Sequence, residues 1–301
     1  DALNRPWPPF WIFLGGVGMN VLLNWIMIHG KFGCPAFGFE GAAWATLISR
    51  IAILLGMIVW LSQVKAIKEW VPDRWFAAVD WPDFKRLITI GFPASLQMAC
   101  EVSAFSVAGL MMGRFGPEAM AAHQIAIALA GTAFMIPLGL SMALTVRIGE
   151  VDGANEPQRL RPIVISGWLL GISCALVSAM IFLFYGNFLA SFFVSSAKAS
   201  SPSVIAAAAS LLVIVGVFQI VDSLQVCSSS MLRGLQDTRI PAIIGFVAYW
   251  IVGLPISFGL AYGFDLKARG VWWGLAAGLF IACVTLGPRL WHKTKVSVPT
   301  A

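Results

Sequence analysis

Eight stretches of this chain are apolar for long enough to cross a lipid bilayer, and no other feature limits its fold so tightly. They run approximately over residues 8–28, 41–61, 87–113, 119–146, 163–194, 202–232, 240–263 and 270–291. A helix rises about 1.5 Å per residue, so about 20 apolar residues span the hydrocarbon core. Inside lipid no water satisfies the backbone, and such runs must close their hydrogen bonds within helices. Composition agrees: 59% of residues are hydrophobic and 11% charged, where soluble domains carry about 25% charge. A soluble core cannot hide that much apolar surface. The expected fold class is an all-α membrane protein, a polytopic bundle with eight transmembrane helices.

The charges that remain give direction. Fourteen Lys and Arg fall in the gaps on one side of the runs, and five (Lys31, Arg114, Lys198, Lys267 and Arg269) on the other. Cytoplasmic loops are the basic ones, so both ends of the chain are expected in the cytoplasm. The net charge of +6 forms no basic stripe, and no nucleic-acid partner is expected. Cys34, Cys100, Cys174, Cys227 and Cys283 stand singly, without the spacing of a metal site or a disulfide framework, and read as small buried hydrophobes. GxSxG, HExxH and Walker A motifs are absent, so neither an enzyme nor an ATP-driven pump is expected.

The longest gap, residues 62–86, reads "SQVKAIKEWVPDRWFAAVDWPDFKR". It is charged, rich in tryptophan and punctuated by Pro72 and Pro82. A short amphipathic helix lying at the membrane interface is expected there, joining two bundles. The chain begins on "DALNRPWPP", without an initiating Met, which reads as a loop within a longer protein. "RPWPPFWIFLGG…GFEGAAWATL" before the long gap echoes "RIPAIIGFVAYW…KARGVWWGLAAGL" at the end. If both are the last two spans of a six-helix lobe, four spans precede this chain.

Three charges fall well within the runs: Arg50, Glu101 and Asp222. Ionisable groups in a membrane are costly and mark ion or substrate pathways by default. Arg50 has the alternative of snorkelling to the interface. Glu101 has Gln97 one turn before it and Phe105 one turn after. Gln97 is placed to hydrogen-bond the carboxyl, and Phe105 to offer its ring face to a cation or simply to pack. Gln219, Asp222, Gln225 and Ser229 form a polar seam at helical spacing, which points to a wet cavity. His123 is expected to be packed and hydrogen-bonded. Pro93, Pro137 and Pro255 are expected to break their runs, with Pro93 and Pro137 as candidate hinges.

A family is recognisable in these stretches. "GFPASLQMACEVSAF", "GPEAMAAHQIAIALAGTAFMIPLGLSMALTVRIGE" and "SSSMLRGLQDTRIPA…YWIVGLPISFGLAYG…RGVWWGL" resemble the carboxy-terminal lobe of a multidrug and toxic compound extrusion (MATE) transporter of the NorM-like bacterial branch. "NVLLNWIMIHGKFGCPAFGFEGAAWATLISR" resembles the last hairpin of its amino-terminal lobe. The resemblance implies twelve helices in two six-helix lobes. Residues 1–64 would then be the last two helices of the first lobe, 65–86 a cytoplasmic linker, and 87–301 the complete second lobe. The first four helices would be missing.

The resemblance also implies a role for the deep carboxylates. Glu101 and Asp222 match acids implicated in cation coupling or drug binding, with Na+ as a possible ligand. Phe105 matches an aromatic implicated in a cation–π contact. Phe218 stands where some members have a tyrosine, so a sodium site that uses that hydroxyl is in doubt. The implied function is a secondary antiporter that exports cationic amphipathic drugs or dyes in exchange for H+ or Na+ by alternating access. No other cofactor is expected. The implied setting is the bacterial cytoplasmic membrane, as a monomer when complete. The rival within the superfamily is a lipid-linked precursor flippase, which calls for a larger cationic cavity; the deep charges here are mostly acidic. A membrane-embedded enzyme is the rival from another class, and no reactive constellation supports it.

Overall fold

The computed structural model of the chain describes residues 7–63, 80–194 and 201–295. Among these residues there are eight helices long and apolar enough to cross a membrane, and no strands. We label them α1 (Trp7–His29), α2 (Phe39–Gln63), α3 (Trp81–Gly113), α4 (Pro117–Gly153), α5 (Leu160–Ser191), α6 (Ser201–Gly234), α7 (Arg239–Gly263) and α8 (Lys267–Lys293). The expected all-α, polytopic class is the observed one. The chain divides into two compact units, Asp1–Val79 and Asp80–Ala301.

In the first unit α1 and α2 form a hairpin. Its turn passes through Gly30, Gly33 and Gly38 at positive φ, a backbone region open to glycine without steric cost. The helices cross closely: a Cβ on Gly41 would lie 2.7 Å from the Met27 carbonyl oxygen. Small residues let apolar helices approach where lipid supplies no driving force for association. Beyond Gly16, Gly41, Ala45 and Ser49, these helices bury little within the chain. Arg50 is exposed on α2.

The second unit is built around α6, which packs against α4, α5 and α8. α7 lies on α8 and reaches α3. The seam with α8 is made by three glycines at four-residue spacing. A Cβ on Gly270, Gly274 or Gly278 would come within 2.6, 2.2 and 2.4 Å of α7 backbone atoms. Substitution there forces the two backbones apart.

Several boundaries differ from the sequence reading. α3 starts at Trp81, inside the expected linker, with Asp80 at its N-cap position, Pro82 in its first turn and Asp83 in the same turn. Proline's fixed φ and an early acid both suit a helix start. α4 continues to Gly153, past the expected end at 146. The amphipathic interfacial helix was expected over residues of which 64–79 lie outside the described ones. Pro93 and Pro137 do not break their helices: α3 and α4 run through them. One lost bond is tolerated when the rest of a long ladder stands. In α7, around Pro255, the helix changes type instead, with π-helical turns at Val247–Gly253 and Gly259–Gly263.

Candidate functional site

A cavity of about 520 Å³ opens between α3, α4 and α6, with Trp272 of α8 on its wall. That volume falls within the range of about 300–1,000 Å³ common for small-molecule sites. The stripe foreseen on α3 is real: Gln97, Glu101 and Phe105 all line it. The adjacent stripe of that helix, with Cys100, Ala104, Ala108 and Met112, is buried. The seam on α6 is also real, and Gln219, Asp222, Gln225 and Ser229 line the same cavity. α4 supplies a mostly apolar wall that includes Phe134, Leu138 and Met142. The cavity is therefore greasy, with its polar groups concentrated on α3 and α6.

Glu101 and Asp222, from α3 and α6, both line this cavity. Glu101 is half-buried and Asp222 is 5% exposed. Among the described residues neither forms a salt bridge. The Asp222 Oδ1 atom is buried with no hydrogen-bond partner. Buried polar atoms are nearly always paired, and orphans call for a reason.

Gln97 does not serve Glu101 as the sequence suggested. Its Nε2 donates to Ser229 Oγ at 3.0 Å, and that hydroxyl donates back to Gln97 Oε1 at 3.2 Å. The pair ties α3 to α6, one turn from Glu101 and two turns from Asp222. Gln219 donates to the Ala130 carbonyl at 2.8 Å, holding α6 to α4. Gln225, 1% exposed, keeps its place on the cavity wall.

Aromatic rings close the end of the site. Phe218 is buried and presents an edge-to-face contact to Phe105 at 5.8 Å and another to Trp272 at 5.6 Å. Phe105 also leans on Tyr249 at 6.4 Å. Phe105 lines the cavity while it packs on Phe218 and Tyr249. His123 corrects an expectation: it is fully buried, yet neither ring nitrogen has a hydrogen-bond partner among the described residues. It packs against Trp272 at 5.8 Å.

Two residues of the site were missed in the sequence. Arg233, on the last turn of α6, lines the cavity; it had been counted only as a loop cation. Tyr249 is fully buried on α7 beside the Glu101 carboxyl. It sits in a π-helical stretch. The wider turn breaks the 3.6-residue period on which face assignment depends.

Comparison with known proteins follows the same outline. The family described as MatE matches residues 93–258. The chain is 35% identical over 302 aligned residues to "Probable multidrug resistance protein NorM" of Mesorhizobium japonicum, covering 100% of this chain and 64% of that protein. It is 37% identical to "Multidrug resistance protein NorM" of Burkholderia vietnamiensis, covering 94% and 61%. The chain thus spans about three fifths of the length of these curated relatives. Among solved structures, its fold is similar to a Vibrio cholerae MATE transporter mutant, VcmN (TM-score 0.83, 21% identity, covering 97% of this chain and 63% of that one). It is also similar to an outward-facing multidrug resistance MATE family transporter of the MOP superfamily (TM-score 0.80, 20% identity, covering 93% and 60%). This multi-pass membrane chain belongs to the MatE, or MATE, family.

Proposed function

We propose that the chain is the cation-coupling part of a secondary multidrug antiporter, one that exports cationic amphipathic compounds in exchange for H+ or Na+. One observation carries this reading: two carboxyl groups, on two helices, line one largely apolar cavity, and among the described residues no cationic side chain pairs with either. An ionised carboxylate in such a wall is costly unless a cation sits on it. A proton, a sodium ion or a cationic drug each relieves that cost, and they compete for the same oxygens. Exchange follows if one state of the transporter favours the ion and the other the drug, because a ligand shifts two states only by its differential affinity. The apolar walls from α4 suit the hydrophobic body of such a drug.

Orientation is part of the proposal. The end of the second unit that carries Arg147, Arg159, Arg233, Arg289 and Lys293 is the basic one, and we assign it to the cytoplasm of a bacterial inner membrane. The two units are assigned to the amino- and carboxy-terminal lobes of the full-length transporter, which works by alternating access. A lipid-linked precursor flippase is the rival: Arg233 at the cavity would suit its pyrophosphate, whereas the deep acids oppose it. Dye efflux by the full-length protein separates them. Glu101→Gln and Asp222→Asn should each abolish efflux of a cationic dye with expression intact. Wild-type efflux by both variants contradicts the coupling role, and transport of a lipid-linked sugar instead of dye selects the flippase.

A further inference from the structure

At the basic end of the second unit a cation rests on an aromatic platform. Arg161, in the first turn of α5, lays its guanidinium over the ring of Trp291 on α8, 4.6 Å from the centroid. Trp291 in turn stacks on Trp168 of α5, with centroids 6.4 Å apart and planes 19° from parallel. Trp168 is fixed from behind, where its Nε1 donates to Ser228 Oγ of α6 at 2.9 Å. None of the three residues lines the cavity.

The platform holds one face of Arg161 and leaves its donors unused. Nε is buried without a hydrogen-bond partner, and no acid pairs with the guanidinium among the described residues. Acids of the same end pair elsewhere: Glu150 with Arg147, Glu156 with Arg159, and Asp237 with Arg289 and Lys293. A guanidinium carries five N–H donors in a planar fork that suits phosphate oxygens. A ring beneath it fixes the plane without taking those donors. Further into the membrane, Ile165 and Leu169 of α5 and Val284 of α8 are exposed. Helical spacing puts them on the faces of Arg161 and Trp291, one or two turns away. Cation, aromatic rings and apolar stripe thus follow the order of a phospholipid from headgroup to chain. Tryptophan favours the headgroup level, and basic pockets between helices suit anionic headgroups.

We propose that Arg161, Trp291 and Trp168 form a site for one anionic phospholipid. Its phosphate takes the guanidinium donors, and an acyl chain lies along the exposed apolar residues of α5 and α8. A lipid held there bridges two helices that each pack on α6. The orientation proposed above places the site in the cytoplasmic leaflet; binding itself does not depend on transport.

The test uses the purified full-length protein in detergent, titrated with dioleoyl phosphatidylglycerol or dioleoyl phosphatidylcholine and read by native mass spectrometry. Wild-type protein should bind phosphatidylglycerol the more tightly. Arg161→Gln should weaken that binding about tenfold or more, the scale of one lost charge-assisted contact, and Arg159→Gln should leave it near wild type. No preference between the lipids overturns the proposal, and so does unchanged binding by Arg161→Gln. Equal losses in the two variants point to diffuse surface charge and also overturn it. Glycerol phosphate should not displace the lipid; displacement at comparable concentration makes the site one for free phosphate and overturns the lipid assignment. Should Arg161→Gln fail to fold, brominated lipids give a second readout. Brominated phosphatidylglycerol should quench tryptophan fluorescence more than brominated phosphatidylcholine, and Trp291→Phe should remove most of that excess. Equal quenching by both lipids, or an excess that Trp291→Phe leaves intact, overturns the site. Wild-type efflux by Glu101→Gln and Asp222→Asn would sink the antiport reading and leave these outcomes unaffected.

Discussion

Asp222 and Asp237 are both buried acids, one within α6 and one in the turn that follows it, and they are kept in opposite ways. Asp237 is 9% exposed and fully engaged: Arg289 donates to its Oδ2 from Nε at 2.8 Å and pairs through Nη2 at 2.8 Å, with Lys293 at 3.2 Å. Those partners belong to the last turns of α8, where cations also suit the helix dipole. Asp222 is as deeply buried, and its Oδ1 has no hydrogen-bond partner among the described residues. A buried acid that is fully paired is a fastener. One left unpaired, at the wall of a cavity, is where the proposed coupling cation would bind.

The contrast breaks most sharply on function. Asp222→Asn should eliminate cation-driven dye efflux by the full-length protein without lowering its melting temperature, whereas Asp237→Asn should leave efflux per folded molecule near wild type. A stability loss in Asp222→Asn, measured by thermal unfolding in detergent, would make it a fastener too. The next effect is structural. Asp237→Asn removes charge-assisted bonds and leaves Arg289 and Lys293 facing each other, for an expected loss of about 1–3 kcal/mol. Both cations are partly exposed, with side-chain exposures of 33% and 40%, and solvent screening moderates the cost. Its denaturation midpoint should fall while its ion dependence is unchanged. Arg289→Lys should cost less, because one of two bonds to the carboxylate is kept but the planar fork is lost. Lys293→Ala should be smallest, at about 0–1 kcal/mol, and an effect as large as that of Asp237→Asn would show Lys293 to be the main partner.

The same two acids show what could be read from the sequence. Hydropathy located all eight helices, and helical spacing put Glu101, Phe105, Asp222 and Gln225 on faces that do line one cavity. Those are properties of one helix at a time. Pairing between helices was not legible. Gln97 had a carboxylate one turn away, yet it bonds Ser229, 132 positions distant. Asp237 carries no local sign of its role, because its partners on α8 are 52 and 56 residues further on. Helix ends were misplaced where charge begins: α4 carries Arg147, Glu150 and Asp152 as helix past its apolar run. Hydropathy marks the membrane boundary, and a helix does not stop there. Tyr249 was lost for a different reason, since a π-helical stretch has no fixed face that a period of 3.6 can find.

The central claim is that the Glu101–Asp222 pair binds the coupling cation in competition with the drug. Its most direct test is efflux of a cationic dye from proteoliposomes holding the full-length protein, with sodium and proton gradients imposed independently. Wild-type protein should respond to at least one of the two gradients, and Glu101→Gln and Asp222→Asn should respond to neither. Gradient-driven efflux at the wild-type rate in both variants would contradict the account.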